Sequence, residues 1–153
     1  MPLRLSQHSI LLIMIKTNKG KGKAMLDNIK TFSSYSIDSV EKGKKFYSEI
    51  LGLQVTDVPG MKGLINLKIA NDFEVMLYEK SDHIPATFTV LNFIAKDIQK
   101  TVDDLGSKGV KFEIYDLPGL KTDSKGIMKG NGPTIAWFKD PAGNILSVIE
   151  ENK

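Results

Sequence analysis

The 153-residue chain has no cysteine, two histidines and one tryptophan. Without cysteine there can be no disulfide, no zinc–thiolate site and no thiol nucleophile. The histidines are His8, in a basic N-terminal segment, and His83, immediately before Ile84-Pro85. So placed, they cannot build the two-histidine, one-carboxylate triad that suits many transition metals. Long apolar stretches are missing as well. Ile10-Leu11-Leu12-Ile13-Met14-Ile15 is six residues long, whereas a membrane-spanning helix takes roughly 20. The run is also short for a signal-peptide core, and no small-residue cleavage site follows it. No phosphate-cradling glycine loop, Ser-His-Asp or Cys-His motif, or deaminase signature is present. These absences lead to the expectation of a cytoplasmic protein with no membrane partner, no metal and no cofactor.

The formal net charge of +3 is unevenly distributed. Residues 1–24 carry Arg4, Lys16, Lys19, Lys21 and Lys23 and no acid, while the remainder holds 16 basic and 18 acidic residues. Lys16 to Lys23 alternates lysine with Gly, Thr and Asn, the composition of a flexible basic linker. The rest of the chain offers no basic face, so nucleic acid is not an expected partner. Residues 1–24 therefore read as an extension and 25–153 as the folded domain. A hydrophobic content of 41% is ordinary for a globular chain of this length.

Within that domain one order of elements occurs twice. Residues 29–37 are rich in hydroxyl and aromatic side chains and read as a strand. Asp38 and Ser39 can cap a helix, with Glu41 three residues after Asp38. Val40, Gly43, Phe46, Tyr47, Ile50 and Leu51 recur at helical spacing, and Gly52 ends the helix. Strands are predicted at 52–57, 63–70 and 73–79, with Pro59-Gly60 and Asn71-Asp72 as turns. The second round begins with a strand at 87–95. Asp97 then caps a helix carrying Ile98, Val102 and Leu105, which Gly106 and Gly109 close. Strands follow near 110–115, 133–139 and 144–150. Val58-Pro59-Gly60-Met61-Lys62 and Leu117-Pro118-Gly119-Leu120-Lys121 echo each other 59 residues apart. The pattern predicts two βαβββ repeats, about 28–80 and 86–151. Lys121 to Gly132 reads as a polar surface loop, either solvated or a lid placing Lys121, Lys125, Lys129 and Asp123 over an anionic ligand.

Two phrases carry a family resemblance. Phe46-Tyr47-Ser48-Glu49-Ile50-Leu51-Gly52-Leu53 closes the first helix, and Phe138-Lys139-Asp140-Pro141-Ala142-Gly143-Asn144-Ile145 is a turn into the last strand. Together they resemble the vicinal oxygen chelate superfamily of glyoxalases, bleomycin-resistance proteins and extradiol dioxygenases, over about residues 28–151. The resemblance implies an α+β fold of paired βαβββ modules, a concave sheet cup with helices on the convex face, and a homodimer, since an exposed sheet edge needs cover. Metal-dependent members bring one His or Glu from each of four strands into the cup. Carried over by the local motifs, those places hold Phe32, Met76, Val90 and Ser147. None suits a hard or borderline divalent ion, so the expected site has no metal and lacks the Lewis acid of glyoxalase and dioxygenase chemistry.

Strand alternation sorts the remaining candidates. Tyr35 and Ile37 should face the first helix, and Phe32, Ser34 and Ser36 the cup. Val90, Asn92 and Ile94 follow in the fifth strand, Glu74, Met76 and Tyr78 in the fourth, and Ile145, Ser147 and Ile149 in the last. Candidate ligand-binding residues are Phe32, Ser34, Met76, Tyr78, Val90, Asn92, Trp137 and Ser147. Asn92 stands out as an amide in an apolar strand that needs a partner. His83, Tyr78 and Glu74 are the candidates for proton transfer. Three functions stay open: metal-independent binding of a small organic ligand in a sequestration or resistance role, a metal-free lyase or isomerase, and a regulatory module whose cup is filled by its own side chains.

Overall fold

A computed structural model describes residues 29, 31–70, 73–130 and 132–151. The extension expected at residues 1–24 lies outside them. Phe32 onward forms one compact unit built from two modules. The first comprises strand β1 (Ser33–Ile37), helix α1 (Val40–Lys45) continuing into a π-helical turn (Phe46–Ile50), and strands β2 (Gln54–Asp57), β3 (Leu64–Ile69) and β4 (Phe73–Glu79). The second comprises β5 (Thr89–Ala95), helix α2 (Ile98–Ser107), the short hairpin β6 (Asp116–Leu117) and β7 (Leu120–Lys121), then β8 (Ile127–Met128), β9 (Ile135–Lys139) and β10 (Ile145–Glu150).

The sheets have the same plan, in the orders β1-β4-β3-β2 and β5-β10-β9-β8. Each first strand pairs in parallel with the last strand of its module, and the other pairings are antiparallel. The architecture is α+β with paired βαβββ modules. Alternation explains which face is buried. Tyr35, Ile37, Val75, Leu77, Leu91, Leu146 and Val148 point into a core shared by both modules. Phe46 of the first module meets Phe138 of the second with ring centroids 6.5 Å apart. On the opposite, open face lie Ser34 and Ser36, Met76 and Tyr78, Asn92 and Ile94.

Local chemistry accounts for the helices. Ser39, rather than Asp38, is the N-cap of α1, its Oγ accepting from Lys42 N at 3.3 Å. Asp38 instead meets the Lys42 ammonium at 3.1 Å. Asp97 caps α2 by accepting from Lys100 N at 2.9 Å. The buried Gly43 lets α1 lie close on β1, since a Cβ there would stand 3.0 Å from Ile37 Cδ1.

The strand expected near 110–115 reduces to a single bridge between Phe112 and Phe138. The edge of the second sheet is taken by β8, from the segment read as a surface loop. Two features draw it in. Asp123 Oδ1 accepts from the backbone N–H groups of Lys125 and Ile127, each at 2.9 Å, and Ile127 is only 1% exposed. Lys125 binds Asp103 of α2 at 2.6 Å, which ties the segment to the helix layer.

Gly143 is the tightest backbone point of the Asp140–Asn144 turn. Its φ is +85°, and a Cβ would stand 2.9 Å from Pro85 Cγ in the connector between β4 and β5, residues 80–88. Left-handed backbone alone costs a non-glycine residue roughly 1–2 kcal/mol. Gly143→Ala is therefore expected to lower stability by at least that amount, read as a lower urea midpoint with an unchanged slope.

Candidate functional site

The seam between the modules is held by buried polar contacts that start in the Asp140–Asn144 turn. Asp140 Oδ1 accepts from Asn144 N at 2.8 Å. Its Oδ2 accepts from the Tyr47 hydroxyl at 2.8 Å and from Asn144 Nδ2 at 3.1 Å. Because the Tyr47 proton is committed to Asp140, Tyr35 Oη donates to Tyr47 Oη, 2.9 Å away. Asn144 Nδ2 also donates to the Ser36 carbonyl at 2.9 Å, and Asn144 Oδ1 accepts from Ala86 N at 3.3 Å. One turn of the second module thus grips β1, the first helix and the connector. Burial pushes both phenols above the ordinary tyrosine range, and for Tyr47 the charges of Tyr35 and Asp140 push the same way.

His83 makes the second tie. Its Nε2 lies 2.9 Å from the Ala142 carbonyl and its Nδ1 lies 2.9 Å from Ser36 Oγ. A carbonyl can only accept, so Nε2 carries a proton. In the neutral ring the Nδ1 lone pair then faces the serine hydroxyl, which donates to it.

Above these ties opens a cleft of about 450 Å³ between the edges of β1 and β5. Ser33, Ser34, Ser36 and Tyr78 line one side, and Ile84, Ala86, Phe88, Thr89 and Val90 the other, with Tyr35 and Asn144. Hydroxyl groups face an apolar wall, and among the described residues no charged side chain lines the space.

The structure brings only some of the sequence candidates together. Ser34, Tyr78 and Val90 share the cleft. Met76 is the lateral neighbour of Ser34 on the open face, half-buried and outside the lining. Phe32 precedes β1 and is 59% exposed, and Glu74 is half-buried near the start of β4. Asn92, Ser147 and Trp137 form a separate row across β5, β10 and β9. Asn92 is exposed rather than buried, and its partner is internal: Ser147 Oγ donates to Asn92 Oδ1 at 2.5 Å. Trp137 stacks edge-on against Tyr115, with centroids 5.7 Å apart. Among the proton-transfer candidates, Tyr78 lines the cleft and His83 reaches it through Ser36, whereas Glu74 is not in the lining. The motifs did not disclose Ile84, Ala86, Phe88 and Thr89, since a connector has no periodicity to sort its faces. The His-Ile-Pro sequence was the available signal.

The residues also decide whether the superfamily's metal fits. Register pairs Met76 with Ser34 and Ser147 with Asn92, so Phe32 and Val90 sit two residues away from the carried-over positions they were matched with. Either set offers a thioether, hydroxyls, an amide or hydrocarbon, and the Ser147 hydroxyl is engaged by Asn92. Such a set does not fit a divalent ion. Among the described residues no group of three or more His, Asp or Glu gathers in metal-binding geometry.

The fold and the seam define a protein of paired βαβββ modules. Residues 31–148 match the family model of the Glyoxalase/Bleomycin resistance protein/Dioxygenase superfamily, and the chain belongs to that superfamily. A superfamily member from Sphaerobacter thermophilus is similar in structure, with a TM-score of 0.61, 23% identity, and coverage of 80% of this chain and 98% of its own. TnmS3, an antibiotic-binding protein from Streptomyces, gives a TM-score of 0.59, 23% identity and coverage of 82% and 98%. The fosfomycin resistance protein FosX from Listeria monocytogenes gives 0.59, 10% identity and coverage of 80% and 93%. At these identities the likeness is one of fold. No curated protein matches the sequence.

The buried phenols set an alkaline limit. Unfolded tyrosines ionise near pH 10, and the fold holds Tyr35 and Tyr47 neutral beyond that. Their contribution is whole below about pH 10 and is lost as the pH rises further. Stability should therefore fall above about pH 10, with phenolate absorbance from these two tyrosines appearing only on unfolding. At neutral pH, Tyr47→Phe strips Asp140 of a donor and should cost about 1–3 kcal/mol by urea titration.

Proposed function

We propose that the protein is a metal-independent binder of a small, neutral, partly apolar organic molecule, held in the seam cleft in a sequestration or resistance role. The carrying observation is the cleft lining: hydroxyls of Ser34, Ser36 and Tyr78 opposite Ile84, Phe88 and Val90, with no charge among the described residues. Apolar area drives such binding and a few placed polar groups orient the ligand. The described lining offers no counter-ion for an anionic ligand and so favours a neutral one. Structural neighbours described as antibiotic-binding and fosfomycin resistance proteins agree with a small-molecule role.

A panel of neutral aromatic compounds tested against the full chain by native mass spectrometry should yield one-equivalent complexes. These should survive chelator treatment and weaken at least tenfold in Phe88→Asp, a change at a 69% exposed position. Failure of every compound, or binding indifferent to that substitution, would refute the cleft as the site. One equivalent of Ni, Zn, Fe or Mn resisting dialysis would refute metal independence.

We further propose a homodimer that covers the open face, where Ile94 is 75% and Phe32 59% exposed. Apolar exposure of this kind marks interaction surfaces. Light scattering should give twice the 17.0 kDa chain mass, and Ile94→Lys should return the monomer. A monomer at all concentrations would exclude the assembly.

A further inference from the structure

The cleft contains an arrangement that binding alone does not use. Ser36 lines it, and Ser36 Oγ lies 2.9 Å from His83 Nδ1. The other ring nitrogen lies 2.9 Å from the Ala142 carbonyl. A hydroxyl, a base within hydrogen-bond reach, and a third group orienting that base are the parts of an activated nucleophile. Chain order is no guide to such sites, because they are recognised by geometry and roles. Here the serine comes from β1, the histidine from the connector and the orienting carbonyl from the Asp140–Asn144 turn.

We propose that Ser36 is a nucleophile, with His83 as its base, that accepts the acyl group of a small neutral ester held in the cleft. The proposal rests on the reading of the cleft as the ligand site and adds a reaction to it. Ser36 Oγ bonds to the acyl carbon while its proton passes to His83 Nδ1. The carbon–oxygen bond to the alcohol breaks, and the alcohol leaves with that proton. Water then attacks the acyl-serine by the same route, giving a carboxylic acid and restoring the hydroxyl. Nε2 keeps its proton and donates it in a hydrogen bond to the Ala142 carbonyl, which holds the tautomer and steadies the transient imidazolium. Tyr78 is paired with Ser36 across β1 and β4 and lines the same cleft, so its phenol is a donor for the oxygen that becomes negative. Ile84, Phe88 and Val90 would take the apolar part of the ester.

The test uses the full-length chain and diisopropyl fluorophosphate, a small uncharged probe. Ser36 Oγ would bond to phosphorus, the phosphorus–fluorine bond would break, and the proton would leave with fluoride. Peptide mass spectrometry of the folded wild type should place a single adduct on Ser36, formed faster than in urea-unfolded protein. His83→Gln keeps hydrogen-bonding capacity but removes the base, and should slow labelling on the order of 100-fold. Thermal unfolding of that variant verifies that it is folded. No adduct on the folded wild type, an adduct on Ser34 or Tyr78 instead, or labelling by folded His83→Gln at the wild-type rate would overturn the proposal. If neutral aromatic compounds still bind in the cleft while Ser36 stays unlabelled, the nucleophile falls and the binding reading stands. If neither occurs, both fall.

Discussion

Everything in this structure depends on a buried carboxylate at the seam. Two four-stranded modules, each with a free edge on its first strand, have to be fixed side by side. Apolar contact such as Phe46 against Phe138 supplies attraction but little direction, because hydrophobic burial is non-directional. Asp140 supplies the direction. It is 5% exposed and takes three hydrogen bonds, one of them from Tyr47 in the other module. A buried polar group left without partners would cost several kcal/mol at the upper end, so the modules are bound to the one alignment that satisfies it. Asn144 extends the constraint by capping the Ser36 carbonyl on β1, which removes an acceptor from an otherwise open strand edge.

The same constraint explains what the sequence disclosed. The repeat was legible because each strand and helix follows its own periodicity: Tyr35 and Ile37 alternate with Ser34 and Ser36, and Ile98 and Val102 share a helical face. Long-range polar choices were not legible. Nothing local says that the Tyr47 hydroxyl would find Asp140, 93 residues away, or that Ser147 would satisfy Asn92. The turn phrase Asp-Pro-Ala-Gly-Asn reads as a local device, and locally it is one, since Asp140 binds Asn144. Its second duty, across the seam, exists only in three dimensions. The edge strand β8 escaped for a related reason. Two apolar residues in a polar, glycine-containing stretch carry too little periodicity to announce a strand, although Ile127 is fully committed to the core.

For the site, residue types were more informative than positions. The want of histidine and cysteine limited what could be assembled, and neither the carried-over set nor the register-matched one holding Ser34 and Asn92 contains a histidine or a carboxylate. Strand parity sorts residues by face but could not choose a place along a face. Asn92, Ser147 and Trp137 share that face with Ser34 and Tyr78 yet form a separate row. The hollow lies at the seam because the connector, with Ile84, Ala86 and Phe88, builds its far wall.

His83 joins the scaffold and the cleft. Its two hydrogen bonds span from the Ala142 carbonyl to the Ser36 hydroxyl, so the residue that fastens the connector also fixes the state of a hydroxyl facing the cleft. A tie serving stability alone could end on any donor within reach of Nδ1, and the Asp140 network fastens the same seam beside it. Ending on a serine that lines the cleft has a different consequence. It couples the alignment of the modules to the position of the Ser36 hydroxyl, because any movement of the Asp140–Asn144 turn shifts the Ala142 carbonyl that holds the imidazole. The geometry of the cleft and the orientation of its hydroxyl are then one property of the seam.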